Sequence, residues 1–163
     1  MTDKHEEDCQ ARLKVSIVSF AYPYGVLDDP DDDYWGGFVF DCRSLPDPHD
    51  DMSLRGYSGL DQPVIEFFER HKAHVGRFLD AAEALVRQSI EVFLMDGCDY
   101  LQVAFGCYGG HHRSVYMAER FAESLAGMPG IEVEMKHAAK EFWNDLQKSR
   151  AAAKRISGGG RHG

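Results

Sequence analysis

Residues 99–121, DYLQVAFGCYGGHHRSVYMAERF, decide the fold of this chain. Leu101, Val103 and Phe105 alternate with Gln102 and Ala104, the period of a short buried strand. Gly106, Gly109 and Gly110 then break it, and from Arg113 onward Val115, Met117, Ala118, Phe121 and Ala122 recur at helical spacing. A glycine-rich turn between a strand and a helix leaves several backbone N–H groups pointing into one concavity at the positive end of the helix dipole. That arrangement holds anions. Arg113 adds a planar guanidinium suited to bidentate contact with phosphate or carboxylate, and Ser114 adds a hydroxyl donor. The plainer alternative is an ordinary turn whose glycines only reverse the chain. Cys107 at the strand exit and Arg-Ser at the helix start favour the anion site.

Outward from this stretch the chain alternates strands and helices. Leu13, Val15, Ile17, Val18 and Phe20 mark a first strand, and residues 37–41, GFVFD, a second. Five aspartates at 28, 29 and 31–33 lie between them, without the spacing or terminal glutamate of a calcium loop, and read as solvated. Residues 43–60 form a long loop rich in Pro, Asp and Gly, of a length that is often functional. Asp61 is placed to cap a helix with Pro63 in its first turn, and a second helical pattern runs from Phe78 to Phe93. A strand from Ile131 to Met135 follows the Pro129-Gly130 break, and a last helix begins near residue 138. The expectation is a single α/β domain over residues 12–157: a central, mostly parallel sheet of about four strands with helices on its faces. Segments 1–11 and 158–163 are expected to be disordered.

Composition bounds the function. With 163 residues and 44% hydrophobic content there is material for one sizeable core. No apolar run approaches the roughly 20 residues of a membrane span, and the N-terminus lacks the pattern of a signal peptide. Four cysteines with no C-x-x-C pair fit cytoplasmic thiols better than a zinc ribbon. The net charge of −9 is uneven, −14 over residues 1–135 and +5 over 136–163, so the body should repel nucleic acid.

Ligands of such sheets bind beyond the carboxyl ends of the strands. Phe20 leads there into AYPYG; Asp41 leads into a loop carrying Arg43, His49, Arg55 and Ser58; Phe105 leads into the loop of Tyr108, Gly109, Gly110, His111 and His112. Arg43, Arg55 and Arg113 are thus expected to converge on one anion. The adjacent side chains of His111 and His112 should diverge, which suits a phosphate-facing role for one of them better than a metal site. His71 and His74, one turn apart with no third ligand, read as helix-surface residues. No metal and no cofactor are expected.

Cys107-Tyr-Gly-Gly110-His-His-Arg113-Ser114 fits C-x-x-G-x-x-R-[ST], which resembles the phosphate loop of cysteine-dependent protein tyrosine phosphatases. That likeness implies Cys107 as nucleophile, Arg113 holding the phosphoryl oxygens, and Asp47, Asp50 or Asp51 as acid. Gly106 stands where a histidine usually precedes the cysteine, and no tryptophan-proline-aspartate acid loop is present, so phosphatase ranks second.

Three separated motifs, FVFDCRSLPDPH, LRGYSGLDQPVIEFF and VAFGCYGGHHRSVYMAE, together resemble the C-terminal domain of the RNase adapter protein RapZ family over roughly residues 13–137. The resemblance implies a sensor of an amino-sugar phosphate, glucosamine-6-phosphate, that also binds small regulatory RNAs, and the expectation is binding without turnover. It implies a pocket of Arg43, His49, Tyr100, Cys107, Gly109, Gly110, His112, Arg113 and Ser114. No G-x-x-x-x-G-K-[ST] occurs in the chain, so ATPase activity is not carried over; a separate P-loop protein is the partner this suggests, and an oligomer is compatible with it. After His137 the basic segment is interrupted by Glu141 and Asp145, which leaves an RNA- or nucleotide-binding adapter as the third reading.

Overall fold

The computed structural model describes residues 12–25 and 37–143. Strands β1 (Leu13–Ala21), β2 (Gly37–Asp41), β3 (Tyr100–Cys107) and β4 (Ile131–His137) form one parallel sheet in the order β2-β3-β1-β4. The order follows from the strands' own chemistry. The central strands β1 and β3 are buried along most of their length, while the edge strand β4 alternates Glu132, Glu134 and Lys136 with Val133 and Met135. Val15 pairs with both Leu101 and Val133, and Ile17 with both Val103 and Met135, so the three strands present one apolar face in register.

Helices α1 (Gln62–Arg70), α2 (Lys72–Asp96) and α3 (Arg113–Leu125) all bury their apolar sides in that face. Phe68, Ile90, Met117 and Phe121 lie in one cluster with Leu13, Ile17, Leu101 and Phe105. The expected α/β sheet flanked by helices is therefore present, with the three described helices on one side only. On the other side Val18, Phe20 and Ala104 are covered in part by Tyr22 and Ala138.

Three local expectations change. Gly106 does not break β3: it stays in the ladder opposite Phe20 and Asp41, and a Cβ there would come within 2.4 Å of the Phe20 ring. The glycine is needed for a close side-chain approach, not for a turn. Asp61 precedes α1 but its carboxylate does not cap it. Oδ2 accepts the Ser58 N–H at 2.6 Å and the Ser58 hydroxyl at 2.9 Å, tightening the preceding turn instead. β4 runs two residues beyond Met135, to His137, because it keeps pairing with β1 as far as Ser19. Of the last expected helix, the described residues contain a 3₁₀ turn at Lys140–Phe142; its remainder, the aspartate-rich loop and both terminal segments lie outside them. No helix of the described residues is long and apolar enough to cross a membrane.

Candidate anion-binding site

Parallel strands bring their carboxyl ends to one edge of the sheet, and there β2 and β3 deliver two loops distant in sequence. Arg43, Asp47 and His49 from one, and Cys107, Tyr108, Gly109 and His111–Arg113 from the other, line a cavity of about 600 Å³.

The second loop is folded around a sulfur atom. Cys107 Sγ lies 3.1 Å from Ser114 Oγ and accepts the Gly110 N–H at 3.2 Å, both sites being buried. Gly110 has φ +67°, and a Cβ on it would meet both Ala21 Cβ and Ala139 Cβ at 2.8 Å, so only glycine closes this turn. From outside, the loop is clamped twice. The Gly59 N–H donates to the His111 carbonyl at 2.7 Å, and the Trp143 indole Nε1–H donates to the Gly110 carbonyl at 3.3 Å. The first turn of α3 opens beneath it, with N-cap His112 making no side-chain cap bond.

Arg113 is nearly buried and partly engaged. Its Nη1 donates to the carbonyls of Arg43 at 3.0 Å and Leu45 at 3.4 Å, and Nη2 meets Asp47 Oδ2 at 2.6 Å. Its Nε is buried with no partner. Asp47 Oδ1 in turn accepts the His49 N–H at 3.0 Å, which fixes the turn that carries His49. Arg43 stands half-exposed at the mouth, 2.7 Å from Asp41 Oδ2 and 4.2 Å over the Tyr22 ring; its guanidinium holds the Asp41 carboxyl below the usual range. Of three arginines expected to converge, Arg43 and Arg113 line the cavity and Arg55 does not: its Nε donates to the His49 carbonyl at 2.7 Å and braces that loop. Ser58 belongs to the turn before α1. Tyr100 opens β3 at the end of the strand opposite Cys107, outside the cavity.

The two histidines do not diverge. Their ring centroids are 3.9 Å apart, with the planes tilted by 45°. Both Nε2 atoms are buried without a partner. Burial pushes His112 down to about 4, aided by His111 beside it. Burial also lowers His111, opposed by the Gly109 carbonyl and aided by His49. Asp47, weighed in the sequence only as an acid, is the residue whose place in the wall was missed; its position two residues before His49, at the start of a 3₁₀ turn, was the available signal.

A second polar chain lies under α3. Ser19 Oγ is 2.8 Å from His137 Nδ1, and His137 Nε2 is 2.9 Å from Glu119 Oε1. Ser19 is fully buried, so this row joins β1, β4 and α3 without presenting a nucleophile to solvent. His71 sits between α1 and α2 with Nδ1 2.8 Å from the Phe67 carbonyl, and the described residues hold no cluster of three metal-ligating side chains.

The sequence model of the RapZ C-terminal domain matches residues 13–141, which include both loops. The chain is 37% identical over 132 residues to the RNase adapter protein RapZ of Yersinia pseudotuberculosis and to that of Yersinia pestis, covering 81% of this chain and 44% of each of those proteins. It is 38% identical over 130 residues to a nucleotide-binding protein of Aromatoleum aromaticum, covering 80% of this chain and 42% of that protein. The chain thus spans less than half the length of the curated relatives it matches. With its sheet, its β3–α3 loop and its cavity all inside the matched region, the chain belongs to the RapZ C-terminal domain family.

Proposed function

We propose that this domain binds a phosphorylated small molecule in the cavity and does not turn it over, an amino-sugar phosphate such as glucosamine-6-phosphate being the ligand class. The observation that supports the reading is the convergence of Arg43, His49, His111, His112 and Arg113 with the Cys107–Gly109 loop on one cavity at the head of α3, a set of donors suited to phosphate oxygens. The volume of about 600 Å³ suits a sugar phosphate. Tyr108 stands 70% exposed at the rim. A cytoplasmic setting goes with such metabolites.

Phosphatase is the second reading, favoured by the Gly110 amide and the Ser114 hydroxyl on the Cys107 sulfur. Against it, Asp47 is engaged with Arg113 and the His49 amide, Asp51 accepts the Ser53 hydroxyl at 2.6 Å, and neither Asp50 nor Asp51 lines the cavity. An adapter role toward RNA or toward a P-loop protein, the third reading, draws on the relatives' names; the body's charge of −14 opposes the RNA part.

Calorimetric titration with glucosamine-6-phosphate, glucose-6-phosphate, glucosamine and inorganic phosphate tests the proposal. Binding is expected for the phosphorylated sugars and weaker binding for phosphate, with none for glucosamine and no phosphate released from any of them. Equal affinity for glucosamine and its phosphate would move the site elsewhere.

A further inference from the structure

The register of β2 and β3 ends with Asp41 opposite Gly106, and Cys42 and Cys107 follow that pair, close enough for Cys107 to act electrostatically on Cys42. Neighbouring strands lie about 4.8 Å apart, and a disulfide spans Cα separations of about 4.4–6.8 Å. Strand alternation sends both sulfurs to the helix-covered face. Two residues back on each strand, Phe40 and Phe105 stack there with centroids 5.3 Å apart, and both cysteines are buried in that same cluster. Both are free thiols, and Cys107 lines the cavity whereas Cys42 lies behind it. Cys42 opens a short 3₁₀ turn at the strand's end, its thiol 3.8 Å from the Phe40 carbonyl and within reach of the Gly106 amide on β3. Burial raises the Cys42 thiol well above its ordinary value, and Cys107, which lines the cavity, is the sulfur that an oxidant reaches first.

We propose that Cys107 and Cys42 form a peroxide-responsive thiol pair that closes into a disulfide and switches off the loop at the head of α3. The Cys107 thiolate attacks one oxygen of hydrogen peroxide; the O–O bond breaks, hydroxide takes up a proton and leaves as water, and Cys107 becomes a sulfenic acid. The Cys42 sulfur then attacks the Cys107 sulfur; the S–O bond breaks, a second water leaves with the Cys42 proton, and the S–S bond forms. Two thiols are oxidised by two electrons in all, and one peroxide is reduced to two waters. Drawn toward Cys42, the Cys107 sulfur gives up the Gly110 amide and the Ser114 hydroxyl, the two contacts around which the loop is folded. The cross-link rests on strand register; its effect on ligand rests on the phosphate-binding reading above.

The test uses the full chain with Cys9→Ser and Cys98→Ser, treated with hydrogen peroxide and mapped by non-reducing peptide mass spectrometry. A Cys42–Cys107 peptide that dithiothreitol reverses is expected, and Cys42→Ala on the same background should drive Cys107 to the sulfinic acid instead. A parent chain whose Cys107 reaches the sulfinic acid while Cys42 is still a free thiol overturns the pair, a readout made on the parent alone. Inorganic phosphate affinity should fall at least about tenfold on oxidation and return on reduction. An unchanged affinity in the cross-linked chain overturns the switch. A reduced chain that binds no phosphate overturns the ligand reading while the cross-link map still decides the pair.

Discussion

Arg113 and Asp47 meet at 2.6 Å, with the arginine side chain 9% exposed and the carboxylate 29%, tying the head of α3 to the loop that follows β2. The pair makes the cavity wall nearly neutral at the point where an anion would sit. An incoming phosphate must therefore compete with a carboxylate already in place, and the strength of that competition can be measured.

Arg113→Ala removes the guanidinium from the Arg43 and Leu45 carbonyls and leaves Asp47 unpaired. Phosphate-ligand binding is expected to weaken by about 1.5–3 kcal/mol, the range of a charge-assisted hydrogen bond. Stability should fall by about 2 kcal/mol, less than for a fully buried pair because Asp47 remains in contact with water. Calorimetry below both melting points separates the two effects. Binding as tight as the parent's would exclude Arg113 from the site.

Asp47→Asn takes away the competitor and keeps the side chain's size. The variant should melt lower than the parent without ligand, since Arg113 loses its counter-charge. Added phosphate should stabilise it more than it stabilises the parent. A smaller phosphate-induced rise in Tm would mean that Asp47 holds the ligand directly instead of opposing it.

The buried histidines set a pH window. His112 is held down to about 4 by burial and by its neighbour His111, so between pH 6.5 and 4 the unfolded chain binds a proton that the folded chain does not. Stability must then fall as pH drops through that window and level off above it, by on the order of 3 kcal/mol for His112 alone. Urea unfolding midpoints from pH 7.5 to 4.5 should show this slope, and His112→Asn should flatten it. Sulfate, which keeps its charge throughout, should stabilise the fold increasingly toward the acid end by favouring the charged rings. A sulfate effect independent of pH would mean that neither ring faces the anion.

Cys107→Ser separates binding from chemistry. The loop's amides and Arg113 survive the change, so affinity for a sugar phosphate should stay within about threefold of the parent. Hydrolysis of aryl phosphates by the parent at an enzyme-like rate, abolished in Cys107→Ser, would instead establish the cysteine as a nucleophile.

The strands and helices were legible because each carries its own period. Leu13 to Phe20 and Leu101 to Phe105 are read from alternation alone, and α3 from Val115, Met117, Ala118 and Phe121. The β3–α3 loop was legible as a glycine-rich connection between a strand and a helix for the same local reason. What the sequence hid depends on distant partners. Gly106 looks like a break until Phe20 is laid across it, and Asp61 looks like a cap until Ser58 takes its carboxylate. Arg55 and Arg113 look alike as loop arginines, yet one braces the His49 carbonyl and the other lines the cavity. The meeting of the His111 and His112 rings depends on local backbone and side-chain torsions that neither residue type announces.

The Trp143 indole, bonded to the Gly110 carbonyl and 5.5 Å from the His137 ring, gives the chain an optical reporter of its own. Only one other tryptophan, Trp35, is present, so Trp35→Phe leaves a single fluorophore attached to the back of the loop. Occupancy of the cavity, closure of a disulfide at Cys107 and protonation of His137 would each alter the surroundings of that one ring. Its emission could follow all three in real time without a label.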